Sequence, residues 1–145
     1  MFIFVYGSSM NPKYLKEKNV DFINACKAIM NGYNICFSTK TDDWRQAMID
    51  IEEKNYSSVE GVLYEVTDEA MQLFDDLENV STEEHDKIFV DINVGKGPNV
   101  DAYTYICRRK DGHFRPSDKY MDVLVEGAEL NGLSSNYIKS LRDFI

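Results

Sequence analysis

The sequence predicts an α+β domain, and three observations carry that prediction. Extended apolar runs, bounded by Gly, Asn or Pro, recur from the first residue to about residue 109. Apolar residues at helical spacing appear near residue 70 and through the last third of the chain. Strands early and in the middle, with helices after the first strand, in the middle and at the end, build a mixed α+β architecture. The number of strands suits a closed or nearly closed mixed sheet. With 145 residues, 43% of them apolar, the chain fills one ordinary domain and needs no staples. It shows no repeat, low-complexity tract or linker, so residues 1–145 read as a single domain.

The first strand is expected over residues 1–6, followed by a helix over residues 12–18. Asn11 suits the N-cap and Pro12 the first helical position, where a missing N–H costs nothing. Extended runs at residues 22–30 and 33–38 flank Asn31-Gly32, which predicts a hairpin because both residues tolerate positive φ. Residues 47–51 and 59–66 read as further strands, the second alternating Val62, Tyr64 and Val66 with Gly61, Leu63 and Glu65. Thr67 caps a helix with Asp68 and Glu69 in its first turn, where they favour the dipole. Ala70, Leu73, Phe74 and Leu77 mark its apolar stripe. Residues 88–94 and 100–109 form a strand pair around the Gly95-Lys-Gly-Pro98-Asn99 turn. Helices are expected over residues 117–130 and 135–145, with a break at Asn131-Gly132.

Charge narrows the partners. The 16 Lys and Arg against 25 Asp and Glu give a formal charge of −9, which repels nucleic acid and anionic membrane. The longest basic run, Arg108-Arg109-Lys110, reads as a solvated strand end. Three cysteines (Cys26, Cys36 and Cys107), odd in number and widely spaced, indicate reduced thiols in a cytosol-like compartment. His85 and His113 lie in polar sequence away from any cysteine pair, so no zinc site is expected. The five-residue apolar start has no basic flank of a signal peptide, and no segment approaches the ~20 apolar residues of a membrane helix.

Two places could carry chemistry. The first strand runs directly into Tyr6-Gly7-Ser8-Ser9-Met10 and then a helix start. Such a junction presents backbone N–H groups to a small carboxylate, though the spacing is not that of a nucleotide P-loop. The same turn also reads as a plain strand–turn–helix that needs no ligand. The second place is Leu73-Phe74-Asp75-Asp76-Leu77-Glu78. At ~100° per residue, Glu78 falls between Phe74 and Met71 on the apolar stripe, Asp76 on the solvent side, and Asp75 at the stripe's edge. An inward carboxyl at a helix C-terminus meets both the dipole and desolvation, which raise its pKa and suit it to proton transfer. The competing reading ends the helix before Glu78 and turns the side chain to water. No Ser/His/Asp set, Gly-x-Ser-x-Gly or Gly-x-Gly-x-x-Gly is present.

Three segments in register carry a resemblance. These are Val5-Tyr6-Gly7-Ser8-Ser9-Met10; Gly61-Val-Leu-Tyr-Glu-Val with the acidic segment ending at Glu78; and Pro116-Ser-Asp-Lys-Tyr120 with Gly127-Ala-Glu-Leu-Asn-Gly-Leu133-Ser-Ser-Asn-Tyr137. Together they resemble the γ-glutamylcyclotransferase-like (AIG2-like) family over nearly the whole chain. The tail is closer to the glutathione-pathway enzymes than to the shorter γ-glutamylamine cyclotransferases. The resemblance implies a small mixed β-barrel surrounded by helices and a metal-free, cofactor-free enzyme of the cytoplasm. Such an enzyme cyclises a γ-glutamyl group to 5-oxoproline and releases an amino acid or amine. By position it implies Glu78 as general acid/base, with Val5, Tyr6, Gly7, Ser8, Ser9, Met10, Tyr105 and Tyr120 binding substrate. A homodimer is left open.

Two departures stand out. Ser9 replaces the motif's Asn, exchanging an amide for a shorter hydroxyl. In the stretch Ser81-Thr-Glu-Glu-His85-Asp-Lys87, His85 or Lys87 takes roughly the place of a family tyrosine. Two other readings therefore stand beside the enzyme: a catalytically silent small-ligand-binding module on the same fold, and an interaction protein with no small ligand.

Overall fold

The computed structural model describes residues 1–40, 47–78, 80, 85–108, 110 and 112–144. The expected element ends at Arg109 and Ile145, and residues 81–84 of the departing stretch, lie outside the described residues. The chain forms β1 (Phe2–Val5), a 3-10 turn (Ser8–Met10), α1 (Pro12–Glu17), β2 (Asn24–Lys40) and β3 (Ala47–Glu65). It continues through α2 (Asp68–Leu77), β4 (His85–Ile92), β5 (Val100–Cys107), α3 (Asp118–Leu130) and α4 (Ser135–Arg142).

The sheet order is β2-β3-β1-β5-β4. β1 lies antiparallel to β3 and parallel to β5, with Ile3 opposite Tyr64 on one side and Tyr103 on the other. The outer strands approach at one antiparallel bridge, where Ile29 and Asn93 exchange two 2.9 Å hydrogen bonds. The result is a nearly closed mixed barrel flanked by helices.

Asn31-Gly32 does not turn the chain, contrary to the hairpin expected there. Residues 24–40 continue as one strand along β3, and the two runs expected at 47–51 and 59–66 are the two halves of β3. Gly32 takes φ +84°, but at a bulge. Asn31 faces Ser58 while Tyr33 faces Glu53, so residues 54–57 stand opposite Gly32. Positive φ serves a bulge as readily as a tight turn, and a bulge bends the strand. The bend carries the distal half of the β2–β3 pair, with Met48 and Ile49, to the end of β1.

The helices begin where the sequence places them. Asn11, Thr67, Ser117 and Ser134 each accept a hydrogen bond from an amide two or three residues on. On α2 the buried stripe is Ala70, Met71 and Phe74; Leu73, expected inside, is 40% exposed. α3 clamps the 3-10 turn. Asn11 Nδ2 donates to Val123 O (3.0 Å) and Glu126 Oε1 (2.9 Å), and Asn131 Nδ2 donates to Met10 O (2.8 Å). A side chain on Gly127 would lie 2.7 Å from Asn11 N, so glycine lets the helix approach this closely.

One buried charge ties β2, β3 and the end of β5 together. Asp50, with no exposed surface, accepts from Ser38 Oγ (2.5 Å), the Cys107 amide (2.9 Å) and Lys110 Nζ. Burial alone would push its carboxyl up; the hydrogen bonds from Lys110, Ser38 and the backbone outweigh this and hold it below the usual carboxylate range.

Two outcomes follow from this packing. Alanine at Gly61 would press its methyl on Val5 O and lie 2.7 Å from Phe4 Cζ. Gly61→Ala is expected to cost about 1–3 kcal/mol in urea unfolding. Because the Asp50 value is depressed on folding, its stabilisation is complete above the unfolded value of ~3.9 and fades as the pH falls through the folded one. Unfolding midpoints measured down to pH 2 are expected to fall less steeply in Asp50→Asn than in wild type.

Candidate active site

The end of β1 opens into a small cavity of about 30 Å³, lined by Phe4, Val5, Tyr6, Gly7, Ser8, Ser9, Met48, Ile49, Glu78, Tyr105 and Tyr120. Each wall has its own element. β1 supplies the floor, the turn after it the rim, the bent half of β3 one side, α2 the carboxyl, and β5 and α3 the tyrosines. Gly7 is needed for closeness: a side-chain carbon there would lie 2.7 Å from Ile49 Cγ2 and 3.4 Å from Tyr120 Oη.

Of the residues singled out in the sequence, eight meet at this cavity: Val5, Tyr6, Gly7, Ser8, Ser9, Glu78, Tyr105 and Tyr120. Met10 does not; it is fully buried in the core, and its amide is spent on Gly7 O at 3.0 Å within the turn. Ser9 is held by its carbonyl, which accepts from Tyr64 Oη at 2.9 Å. Tyr6 donates its hydroxyl to Tyr105 O, and Tyr120 Oη accepts from the Ile49 amide at 3.3 Å. Burial, then nearby negative charge that includes Glu78, raises both phenols well above their ordinary value, so they stay neutral at physiological pH.

Glu78 is the C-cap of α2, its amide bonded to Phe74 O at 3.0 Å. The helix therefore reaches Glu78, and the side chain faces the cavity with 20% exposure, while Asp76 on the opposite face is exposed. Burial pushes the Glu78 carboxyl up, and nearby His85 offsets part of that rise. Asp75, one turn back, accepts from Tyr105 Oη (2.7 Å) and pairs with Lys87 Nζ (2.8 Å). This brace fixes the Tyr105 ring against α2.

His85 is the main surprise. Though it lies in polar sequence, it is 4% exposed, with Nδ1 2.7 Å from Glu78 O and Nε2 3.3 Å from Cys107 Sγ. By the resemblance His85 or Lys87 stands in for a family tyrosine; here His85 contacts Glu78, and Lys87 pairs with Asp75. Phe4, Met48 and Ile49 were not foreseen as cavity walls, since they read simply as apolar strand residues. Among the described residues no group of three His, Cys, Asp or Glu side chains is arranged to hold a metal ion. None of the described helices is long and apolar enough to cross a membrane.

Tyr105→Phe removes the brace to Asp75 while leaving Lys87 on that carboxylate. The expected loss is about 1 kcal/mol of unfolding free energy, measurable by thermal or urea denaturation.

Comparison with known proteins agrees with this architecture. The chain is 21% identical over 143 residues to the γ-glutamylcyclotransferase of Mus musculus, covering 96% of this chain and 76% of the mouse protein. A solved γ-glutamyl cyclotransferase superposes with a TM-score of 0.89 at 20% identity, covering 98% of this chain and 86% of that one. YkqA of Bacillus subtilis superposes with a TM-score of 0.89 at 27% identity; the match takes in 99% of this chain and 53% of YkqA. A model of the AIG2-like family matches residues 58–141, more than half of the 145 residues. With the family model matched over more than half its length, this chain belongs to the AIG2-like family.

Proposed function

We propose that the chain is a γ-glutamylcyclotransferase-type enzyme. It converts a γ-glutamyl compound to 5-oxoproline and a free amino acid or amine, with Glu78 as general acid/base. The observation that carries this reading is the Glu78 carboxyl, turned into a cavity at the end of β1 and held toward its protonated form by burial.

The reaction asks little of the protein. Glu78 as carboxylate takes a proton from the substrate's α-ammonium, and the freed amine attacks the γ-carbonyl carbon of the same molecule. A C–N bond forms, closing the five-membered ring, while the C–N bond to the leaving group breaks. The attacking nitrogen sheds a second proton as the ring closes, and both protons pass by way of Glu78 to the departing nitrogen, which leaves as an ammonium, so no proton is gained or lost overall. Because nucleophile and electrophile share one molecule, no Ser or Cys nucleophile is required, and ring closure benefits from high effective molarity. A carboxyl of raised pKa suits both proton transfers, contributing about 10²–10⁴-fold. The backbone of residues 7–9 is the receptor for the substrate carboxylate or the developing oxyanion. Tyr6, Tyr105 and Tyr120, kept neutral, offer hydroxyls without adding charge beside the carbonyl.

One alternative fits the same small cavity of about 30 Å³. In the second reading the same loop binds a small carboxylate or amine without turnover.

The test is 5-oxoproline release from a panel of γ-glutamyl dipeptides and γ-glutamyl amines. Glu78→Gln, which keeps volume and removes the ionisable group, is expected to reduce kcat by at least 10² with stability retained. Asp76→Asn is expected to stay within twofold of wild type. A fully active Glu78→Gln refutes the mechanism, and a folded wild type that releases no product from any of the panel favours the binding module.

A further inference from the structure

His85 opens β4 directly beneath the C-terminus of α2, with its side chain 5% exposed. Its Nδ1 lies 2.7 Å from Glu78 O. A carbonyl only accepts, so Nδ1 carries a hydrogen in either charge state, and Nε2 is the nitrogen that gains or loses the proton. Among the described residues, Nε2 lies 3.3 Å from Cys107 Sγ and 3.8 Å from Glu78 Oε2. A neutral Nε2 accepts, and the thiol is the donor that suits it. A protonated Nε2 donates, and the carboxylate oxygen is then the stronger partner.

We propose that His85 is a positioning residue for Glu78, anchored to its backbone through Nδ1 and setting the charge of its carboxyl through Nε2. The assignment rests on Glu78 being the proton carrier. His85 takes no part in the bond changes; it sets the fraction of molecules in which Glu78 begins as a carboxylate.

The surroundings leave this role to His85. Among the described residues, the other titratable groups facing Glu78 are Tyr6 at the end of the β1 segment, Tyr105 on β5 and Tyr120 on α3. None of these is cationic. Asp75 is paired with Lys87, and Asp50 with Lys110. Among the described residues, His85 is the basic group within 4.0 Å of the Glu78 carboxyl. Its influence opposes the effect of burial, lowering a carboxyl that desolvation raises.

The test uses His85→Asn, whose amide nitrogen can replace Nδ1 on the Glu78 carbonyl but cannot ionise. Carboxyl carbons of ¹³C-labelled glutamate are titrated by NMR in wild type and variant, the Glu78 signal being identified by its loss in Glu78→Gln. The Glu78 midpoint is expected to rise by about one pH unit, and the acid limb of kcat for 5-oxoproline release to move with it. An unmoved midpoint in folded His85→Asn overturns the proposal. Should that variant not fold, Cys107→Ala decides the matter: without the thiol Nε2 turns to the carboxyl, and the Glu78 midpoint falls. An unchanged midpoint there overturns the proposal equally. A shifted midpoint in a protein that releases no 5-oxoproline supports the coupling of His85 to the Glu78 carboxyl but refutes the cyclisation reading, whereas an unmoved midpoint in an active enzyme overturns the coupling alone, so the two failures are distinct.

Discussion

The structure depends on a four-residue strand that is hydrogen-bonded on both edges. β1 pairs with β3 in antiparallel and β5 in parallel register, and Ile3 and Phe4 have no exposed surface. A central strand packed on both faces tolerates no slippage, because a shift of one residue would exchange its two buried faces. Gly61 follows from this constraint, since any side chain there would strike Val5 O and the Phe4 ring. With β1 fixed, the turn after it is fixed as well, held by Tyr64 from β3 and by Asn131 and Gly127 at the end of α3. The shape of this loop is thus set by the fold itself.

Two carboxyls inside the same domain show how surroundings set chemistry. Asp50 has a lysine, a hydroxyl and backbone amides, and the balance keeps it ionised. Glu78 has a carbonyl-anchored imidazole nearby and otherwise neutral walls, and burial dominates. The consequences for stability have opposite signs. Asp50 strengthens the fold above the ordinary aspartate value. Glu78, raised on folding, favours the fold below the ordinary glutamate value, and that contribution is lost as the pH rises through the folded value. A carboxyl held inside by burial therefore carries a standing cost to the fold at neutral pH.

Features that depend on neighbours in sequence were legible from the chain. These include the start of the first helix at Asn11-Pro12, the Thr67 cap, the glycine-rich turn between β4 and β5, and the two closing helices. The lean of Glu78 was legible only as one of two readings: helical phase sets it against Phe74 and Asp76, but only if the helix reaches it. Features that depend on pairing across the fold were not. Asn31-Gly32 carries the same φ preference for a hairpin and a bulge, and the partner strand that decides between them lies some twenty residues further on. Leu73 reads as part of the stripe by spacing, yet the buried face is turned toward Met71. Met48 and Ile49 become cavity walls only through the bend in β3. His85 could be placed near the site, but its burial against Cys107 follows from the β4–β5 register, which sets the two residues opposite each other.

The long reach of the contacts around β1 also sets an order of assembly. Tyr6 bonds to a residue 99 positions away, Thr104 to Phe4 across 100, Asn11 to Val123 across 112, and Asn131 to Met10 across 121. At ordinary rates of translation the first strand waits on the order of ten seconds for its parallel neighbour and the clamping helix. During that interval an apolar segment destined for the centre of the sheet has no parallel partner and no cover. Topology of this kind slows folding and prolongs the exposure of unpaired strands. The cavity is therefore a late product of the chain, complete only after α3 has emerged, and a nascent fragment ending before it would hold the pieces of the loop without its shape.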